Sequence, residues 1–334
     1  MAYAQYNISA ITEIPALVGS FADTQGWDVD STNVNQPIIT HPTLSGAIPF
    51  RLTASIGGTN NQNHDLVLTA VSPPVTTSTV RTRSPKWNGS FNNPAVPLPT
   101  KLHVITGLLP EPYLIMTIEY GFNLYRHLYF GYMEKLGDYT GGEVISGQRN
   151  ADTSQAGGFT VSYLNESHQY LFNGRHTTSV VSSDSGGVYI NHADNANKWR
   201  VFSSTTSGTI GNDALPTFDA LGVIGGFRDG WNDGYLARAK SSYSGAGILV
   251  PINLYVPEPI TGDVRFIPIG HPAGVRLVHM QNLEPGQEIT VGDETWKVFP
   301  AFSKQSYEAA AKGTYYAAAE TSYHVGYAFL MEAA

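Results

Sequence analysis

Apolar residues recur at Ile14, Leu17, Val18 and Phe21, the spacing of one face of a helix. The pattern predicts a helix from Glu13 toward Thr24, capped by Thr12, with Pro15 in a first turn that needs no N–H there. Gly26 stands where a helix C-terminal glycine belongs, and Trp27-Asp28-Val29 begins a strand. Beyond this point the period falls to two. Alternation marks strands at 47–56 (AIPFRLTASI) and 65–71 (DLVLTAV), then at 102–106, 113–120 (YLIMTIEY) and 125–133 (YRHLYFGYM). Residues 72–100 hold Pro73, Pro74, Pro85, Pro94, Pro97 and Pro99, which rule out a central strand and predict a long excursion or arm. Residues 137–158 are Gly-rich and read as loop.

A second strand-rich region follows at 158–164, 169–172, 178–181, 188–191 and 198–203, with irregular stretches at 204–216 and 225–247. The apolar run 248–256 contains Pro251, which predicts an edge strand or a bend. Further strands are expected at 264–269, 275–278 and 323–331, and the Ala-rich run 306–320 reads as a short helix weakened by Gly313 and Thr314. Residues 284–304 (EPGQEITVGDETWKVFPAFSK) predict a hairpin turning at Gly292-Asp293-Glu294. Ile289, Val291, Trp296, Val298 and Pro300 should share one face, and Thr290, Thr295, Lys297 and Phe299 the other. Phe299 is the apolar member of a polar row, so it should be covered, by the 323–331 strand or by another subunit.

These elements predict a mainly β fold: antiparallel β-sandwich-like domains with a short N-terminal helix and long Gly/Pro-rich loops. The expected organisation has three parts: 1–136, an N-terminal helix and β-domain carrying the 72–100 arm; 137–247, a middle β-rich region; and 248–334, a C-terminal β segment that closes the fold.

Composition narrows the function. Of 334 residues only 14% are charged, against about 25% in an average soluble protein. Low charge with many Ser, Thr, Asn and Tyr suits a surface engaged by copies of itself or by partners. The net charge of −8 disfavours binding to nucleic acid, and the one basic stretch, Arg81–Lys86, reads as a solvated loop. With no Cys, neither disulfides nor thiolate chemistry can occur. No membrane-length apolar run is present, and residues 1–6 lack the basic start and apolar run of an export signal. Synthesis in a cytoplasm without export, and no membrane insertion, are therefore expected.

Motifs that could carry chemistry have simpler readings. Ser183-Asp184-Ser185-Gly186-Gly187 echoes the nucleophile loop of chymotrypsin-like proteases. His41, His64 and His103 lie upstream, but none has the context of that family's histidine. A turn between Val181 and Val188 explains the glycines. His192-Ala193-Asp194 sits among Asn residues that form Asx turns. The Asp/Gly alternation of 226–234 lacks the terminal Glu of an EF-hand. No phosphate-binding loop or dinucleotide fingerprint occurs. Catalytic, cofactor and metal sites are thus expected to be none. Trp87 and Trp231, both placed in loops, are the candidates for a glycan or interface contact, and Phe299 is a third candidate contact.

The chain ends carry a resemblance. A helix ending in Phe21-Ala22 before Gly26-Trp27-Asp28-Val29, and an ending of Ile289-Thr290-Val291-Gly292, Thr295–Pro300 and Gly326–Phe329, resemble virion structural proteins of tailed bacteriophages. Leu128–Tyr132 followed by a Gly-rich loop is compatible with them. The similarity spans about a third of the chain, and its motifs bring over no catalytic residues. It implies a structural component of the tail, neck or baseplate, located in the virion. Its partners would be other virion proteins and copies of itself, in a ring or other symmetric homo-oligomer. Alternatives are a receptor- or carbohydrate-binding module on the virion surface and a capsid decoration protein. No enzymatic activity is expected.

Overall fold

The computed structural model describes residues 1–42, 47–57, 63–71, 79–83, 98–108, 110–121, 124–138, 141–147, 187–192, 199–203, 222–224, 249–260, 263–280, 282–301 and 325–333. Among the described residues the chain is mainly β, with antiparallel sheets and one short α-helix near its N-terminus. In order, the elements are β1 (Ala2–Asn7), α1 (Ile14–Thr24), β2 (Asp28–Asp30), β3 (Ile38–Thr40), β4 (Phe50–Gly57), β5 (Asn63–Ala70), β6 (Thr79–Arg83), β7 (Pro99–Gly107), β8 (Tyr113–Tyr120) and β9 (Leu124–Lys135). They continue with β10 (Gly141–Gly147), β11 (Gly187–His192), β12 (Trp199–Ser203), β13 (Gly222–Ile224), β14 (Val250–Pro251), β15 (Leu254–Ile260), β16 (Asp263–Pro272), β17 (Val275–His279), β18 (Glu288–Val291), β19 (Glu294–Pro300) and β20 (Val325–Ala333).

Three sheets stack around the middle of β7, β8 and β9. A ten-stranded sheet runs β1-β7-β8-β9-β10-β11-β12-β13-β15-β16 and draws strands from all three segments of the chain. Its far end returns to β9, where Gly270, His271 and Pro272 of β16 pair with Lys135, Glu134 and Met133. β9 gives its first residues to β8 and its last to β16 on the same edge, so β9-β10-β11-β12-β13-β15-β16 close into a ring. The meander β2-β3-β4-β5-β6 covers one face of β7–β9, together with α1. The sheet β14-β17-β20-β19-β18 covers the other.

Burial on both faces explains why β8 and β9 read as nearly continuous apolar runs. Leu114, Met116, Ile118, Leu128 and Phe130 join the core beneath α1. Tyr113, Ile115, Tyr125, Tyr129 and Met133 join the core beneath β17, β19 and β20. A third cluster, Val278, Met280, Trp296, Val298 and Ala328, lies on the outer side of that covering sheet.

The helix is where expected, but Thr12 does not cap it. A 3-10 turn (Ile11–Glu13) precedes α1, and Glu13 Oε1 accepts from the backbone N–H of Ala10 at 2.9 Å and of Ser9 at 3.1 Å. Glu13 thus folds back on the entering chain, a role open to a carboxylate and closed to a threonine hydroxyl of shorter reach. At the other end Trp27 N–H donates to Ala22 O and Gly26 N–H to Asp23 O, both at 3.1 Å, which is the Schellman pattern. Gly26 has φ 88°, a conformation that a Cβ disfavours. The buried Trp27 is delivered onto the central sheet, edge-on to Phe130 at 5.3 Å, with Nε1 donating to Thr106 Oγ1 at 2.9 Å.

Several expectations are corrected. Ala2–Asn7 forms a strand that its pattern did not announce. Gly141–Gly147, within the stretch read as loop, is β10, because it pairs with β9 and β11 and the core takes up its Val144 and Ile145. Within residues 72–100, Thr79–Arg83 adds to β5 as an edge strand, which also removes Arg81–Arg83 from the expected loop, and Pro99 opens β7. Pro251 behaves as read: β14 is an edge strand, after which the chain passes to β15 in the other sheet. The hairpin turns on Gly292 and Asp293, while Glu294 already pairs with Val291. The strand candidates at 158–164, 169–172 and 178–181 and the helix at 306–320 lie outside the described residues.

Candidate functional site

The most concentrated chemistry lies on the buried face between the ten-stranded sheet and its cover. Antiparallel register places Gln5 opposite His103, His103 opposite Thr117, and Thr117 opposite His127. Directly opposed residues share a face, so these four form a polar row across β1, β7, β8 and β9. The row is flanked by the apolar residues Ile105, Ile115 and Tyr129.

His127 is fully buried at the inner end. Its Nε2 lies 2.9 Å from Pro300 O, and its Nδ1 2.9 Å from Thr117 Oγ1. A carbonyl can only accept, so Nε2 carries the proton and Nδ1 accepts from the threonine hydroxyl. Burial, aided by the neighbouring Arg126 charge, pushes the imidazole down to about 3, so it is neutral. Both nitrogens are engaged, which makes His127 a strut between sheets. Tyr327 and Phe329 of β20 meet its ring edge-on at 5.3 and 5.6 Å.

His103, also buried, takes the next position. Phe299 covers it at 4.7 Å between ring centres. Its Nδ1 lies 2.9 Å from the Tyr3 hydroxyl, and its Nε2 is 3.7 Å from Glu119 Oε2, a charge approach longer than a hydrogen bond. Burial drives its imidazole down despite that carboxylate. His103, then Lys101 at 3.3 Å, hold Glu119 below the usual carboxylate range. Lys297 of β19 reaches over the Tyr3 ring at 4.4 Å and donates to Glu288 Oε1 at 2.9 Å. Burial, and then the Glu288 charge, push the Tyr3 phenol up to about 12.

A second polar group stands where the ring closes. Glu134 of β9 accepts from His271 Nε2 at 2.8 Å and from the Arg276 guanidinium at 3.2 and 3.3 Å. Burial alone would raise its carboxyl, but these donors outweigh it and hold it low. Arg276 also lies over the Trp296 ring at 5.4 Å. The two groups share one character: each joins sheets or strands far apart in sequence through side-chain hydrogen bonds.

Of the residues singled out from sequence, Phe299 is described and is 1% exposed. It is covered by Phe329 at 6.1 Å and by His103 and Tyr125 of the central sheet, so it is a core contact within the subunit. Trp87 and Trp231 lie outside the described residues, as do 183–186, 193–197 and 225–234. Among the described residues no group of three or more His, Asp or Glu is placed to hold a metal ion, and no helix is long and apolar enough to cross a membrane. The polar row itself was not anticipated. Its signal is the intrusion of His103, Thr117, Arg126 and His127 into apolar runs, since a polar residue in a strand buried on both faces must have a partner. Compared with models of known protein families and with curated proteins, the chain matches none.

Proposed function

We propose that this chain is a structural component of a tailed bacteriophage particle, in its tail, neck or baseplate, and works by assembling with copies of itself and with other virion proteins. The observation that carries the reading is where the resembling motifs sit. Phe21, Ala22 and Trp27 pack beneath the central sheet, and Trp296, Val298, Phe299, Tyr327 and Phe329 build its cover. The shared pattern is therefore a structural frame made of both chain ends. His127 to Pro300 and Arg276 to Glu134 are struts between sheets, which suits a part that holds shape under load.

Mass spectrometry of purified particles tests this directly. The chain should be present in multiple copies. Its absence from particles, with abundance in the extract of infected cells, would overturn the reading.

A further inference from the structure

The ten-stranded sheet closes on itself through β16 and β9, which leaves β1 as its end strand. An end strand presents a row of backbone donors and acceptors to any other chain, and proteins usually blunt it with charge or proline. The other sheet ends are blunted: β2 holds Asp28 and Asp30, β6 Arg81 and Arg83, β14 Pro251, and β18 Glu288. β1 reads AYAQYN, six residues with neither charge nor proline, and among the described residues it pairs with β7 alone.

Which backbone groups face outward follows from the register. Ile8 N–H donates to Thr100 O in continuation of the β1–β7 ladder. Backbone groups alternate edges along a strand, so even-numbered residues serve β7, and the N–H and C=O of Tyr3, Gln5 and Asn7 point away. This row is self-complementary about Gln5. An antiparallel copy centred there sets Gln5 opposite Gln5 and Tyr3 opposite Asn7, and every outward N–H meets an outward C=O. On the face toward α1 it sets Ala4 opposite Tyr6, small against large. With no charge in the strand, no like charges meet. Gln5 is also the exposed end of the polar row, so the row would run on into the second copy.

We propose that the outer edge of β1 is a self-association surface, on which β1 of a second copy of this chain adds antiparallel about a two-fold axis at Gln5. The inference rests on the reading of the chain as an assembly subunit and names its pairing edge. An isologous contact joins subunits in twos and leaves any ring-closing contact to another surface.

The test uses the full chain. Light scattering and sedimentation should show a dimer that grows with concentration. Gln5→Pro removes an outward N–H without touching the β7 ladder and should weaken dimerisation at least tenfold with an unchanged melting curve. Should that variant misfold, Gln5→Lys, which sets like charges opposite each other at an exposed position, should do the same. The chain has no cysteine, so Gln5→Cys introduces a single thiol. Hydrogen-bonded antiparallel partners lie about 5.5 Å apart at Cα, within disulfide range. Mild oxidation should therefore cross-link Gln5→Cys well above a Val291→Cys control on β18. A monomer at every concentration, a dimer indifferent to both edge variants, or cross-linking no better than the control each overturns the proposal. None of these results decides whether the chain is found in particles, so the assembly reading fails or stands separately.

Discussion

His127 and Pro300 are joined across the central interface by a 2.9 Å hydrogen bond that spans 173 residues of chain. One end sits in β9, the middle of the ten-stranded sheet, and the other closes β19. Thr117 donates to the remaining nitrogen, and that bond needs a neutral imidazole, whereas the Pro300 bond by itself favours the charged ring. Protonation would cost the Thr117 bond and bury a charge between the layers.

The pH dependence follows. The imidazole binds a proton near 6.5 in the unfolded chain and near 3 when folded. Its contribution is whole above about pH 6.5 and is lost as pH falls from there toward 3, where the unfolded chain holds the extra proton. Urea unfolding between pH 6 and 4.5 should show stability falling by about 1.4 kcal/mol per pH unit from this residue. His103 and His41, both held low by burial, add in the same direction.

His127→Gln should lessen that slope and lower stability at pH 7 by about 1–3 kcal/mol, because a polar group in the buried seam loses its partner. An unchanged slope would show that the imidazole is not what titrates.

Phe299→Ala should cost about 3–5 kcal/mol, since it empties a position enclosed by His103, Tyr125 and Phe329. Val291→Ala, at the tip of the same hairpin and 46% exposed, should stay within about 0.5 kcal/mol. Equal melting shifts for the two would contradict the enclosed position of Phe299.

Gly270→Ala tests the ring closure. Gly270 has φ 145°, and a Cβ there would strike the backbone oxygen of Glu134, the β9 residue next to its strand partner Lys135. Separation of β16 from β9 should follow, at about 2 kcal/mol or more. Hydrogen exchange should then quicken at 133–135 and 270–272 while β7 and β8 remain protected.

Trp27→Phe keeps an aromatic ring edge-on to Phe130 but removes the N–H that Thr106 accepts and part of the indole's buried bulk. Thermal melts should show a loss of about 1–3 kcal/mol. A larger loss would mean that the indole also sets the helix position.

Much of the fold could be read from local pattern. The helix boundaries near Ile14 and Thr24, the strands around 113–120 and 125–133, the edge role of Pro251 and the opposite faces of Trp296 and Phe299 depend on periodicity and on glycine or proline placement. These are short-range properties. The strands at 2–7 and 141–147 escaped because neither has a marked apolar alternation, and both are recruited by a neighbouring edge. Thr12 was misread for a similar reason: cap identity depends on where the entering chain runs, which propensity does not specify.

Pattern along the chain settled that this is a β protein of low charge, free of thiol chemistry, with a capped helix at one end and a two-faced hairpin at the other. Register decided the rest. Whether Gln5, His103, Thr117 and His127 share a row, whether β16 returns to β9, and which groups of β1 face outward are facts about which residues stand opposite each other. A shift of one residue would turn each strand over and disperse them. That choice is made when both faces of β7, β8 and β9 are buried at once, and no single stretch of sequence contains it.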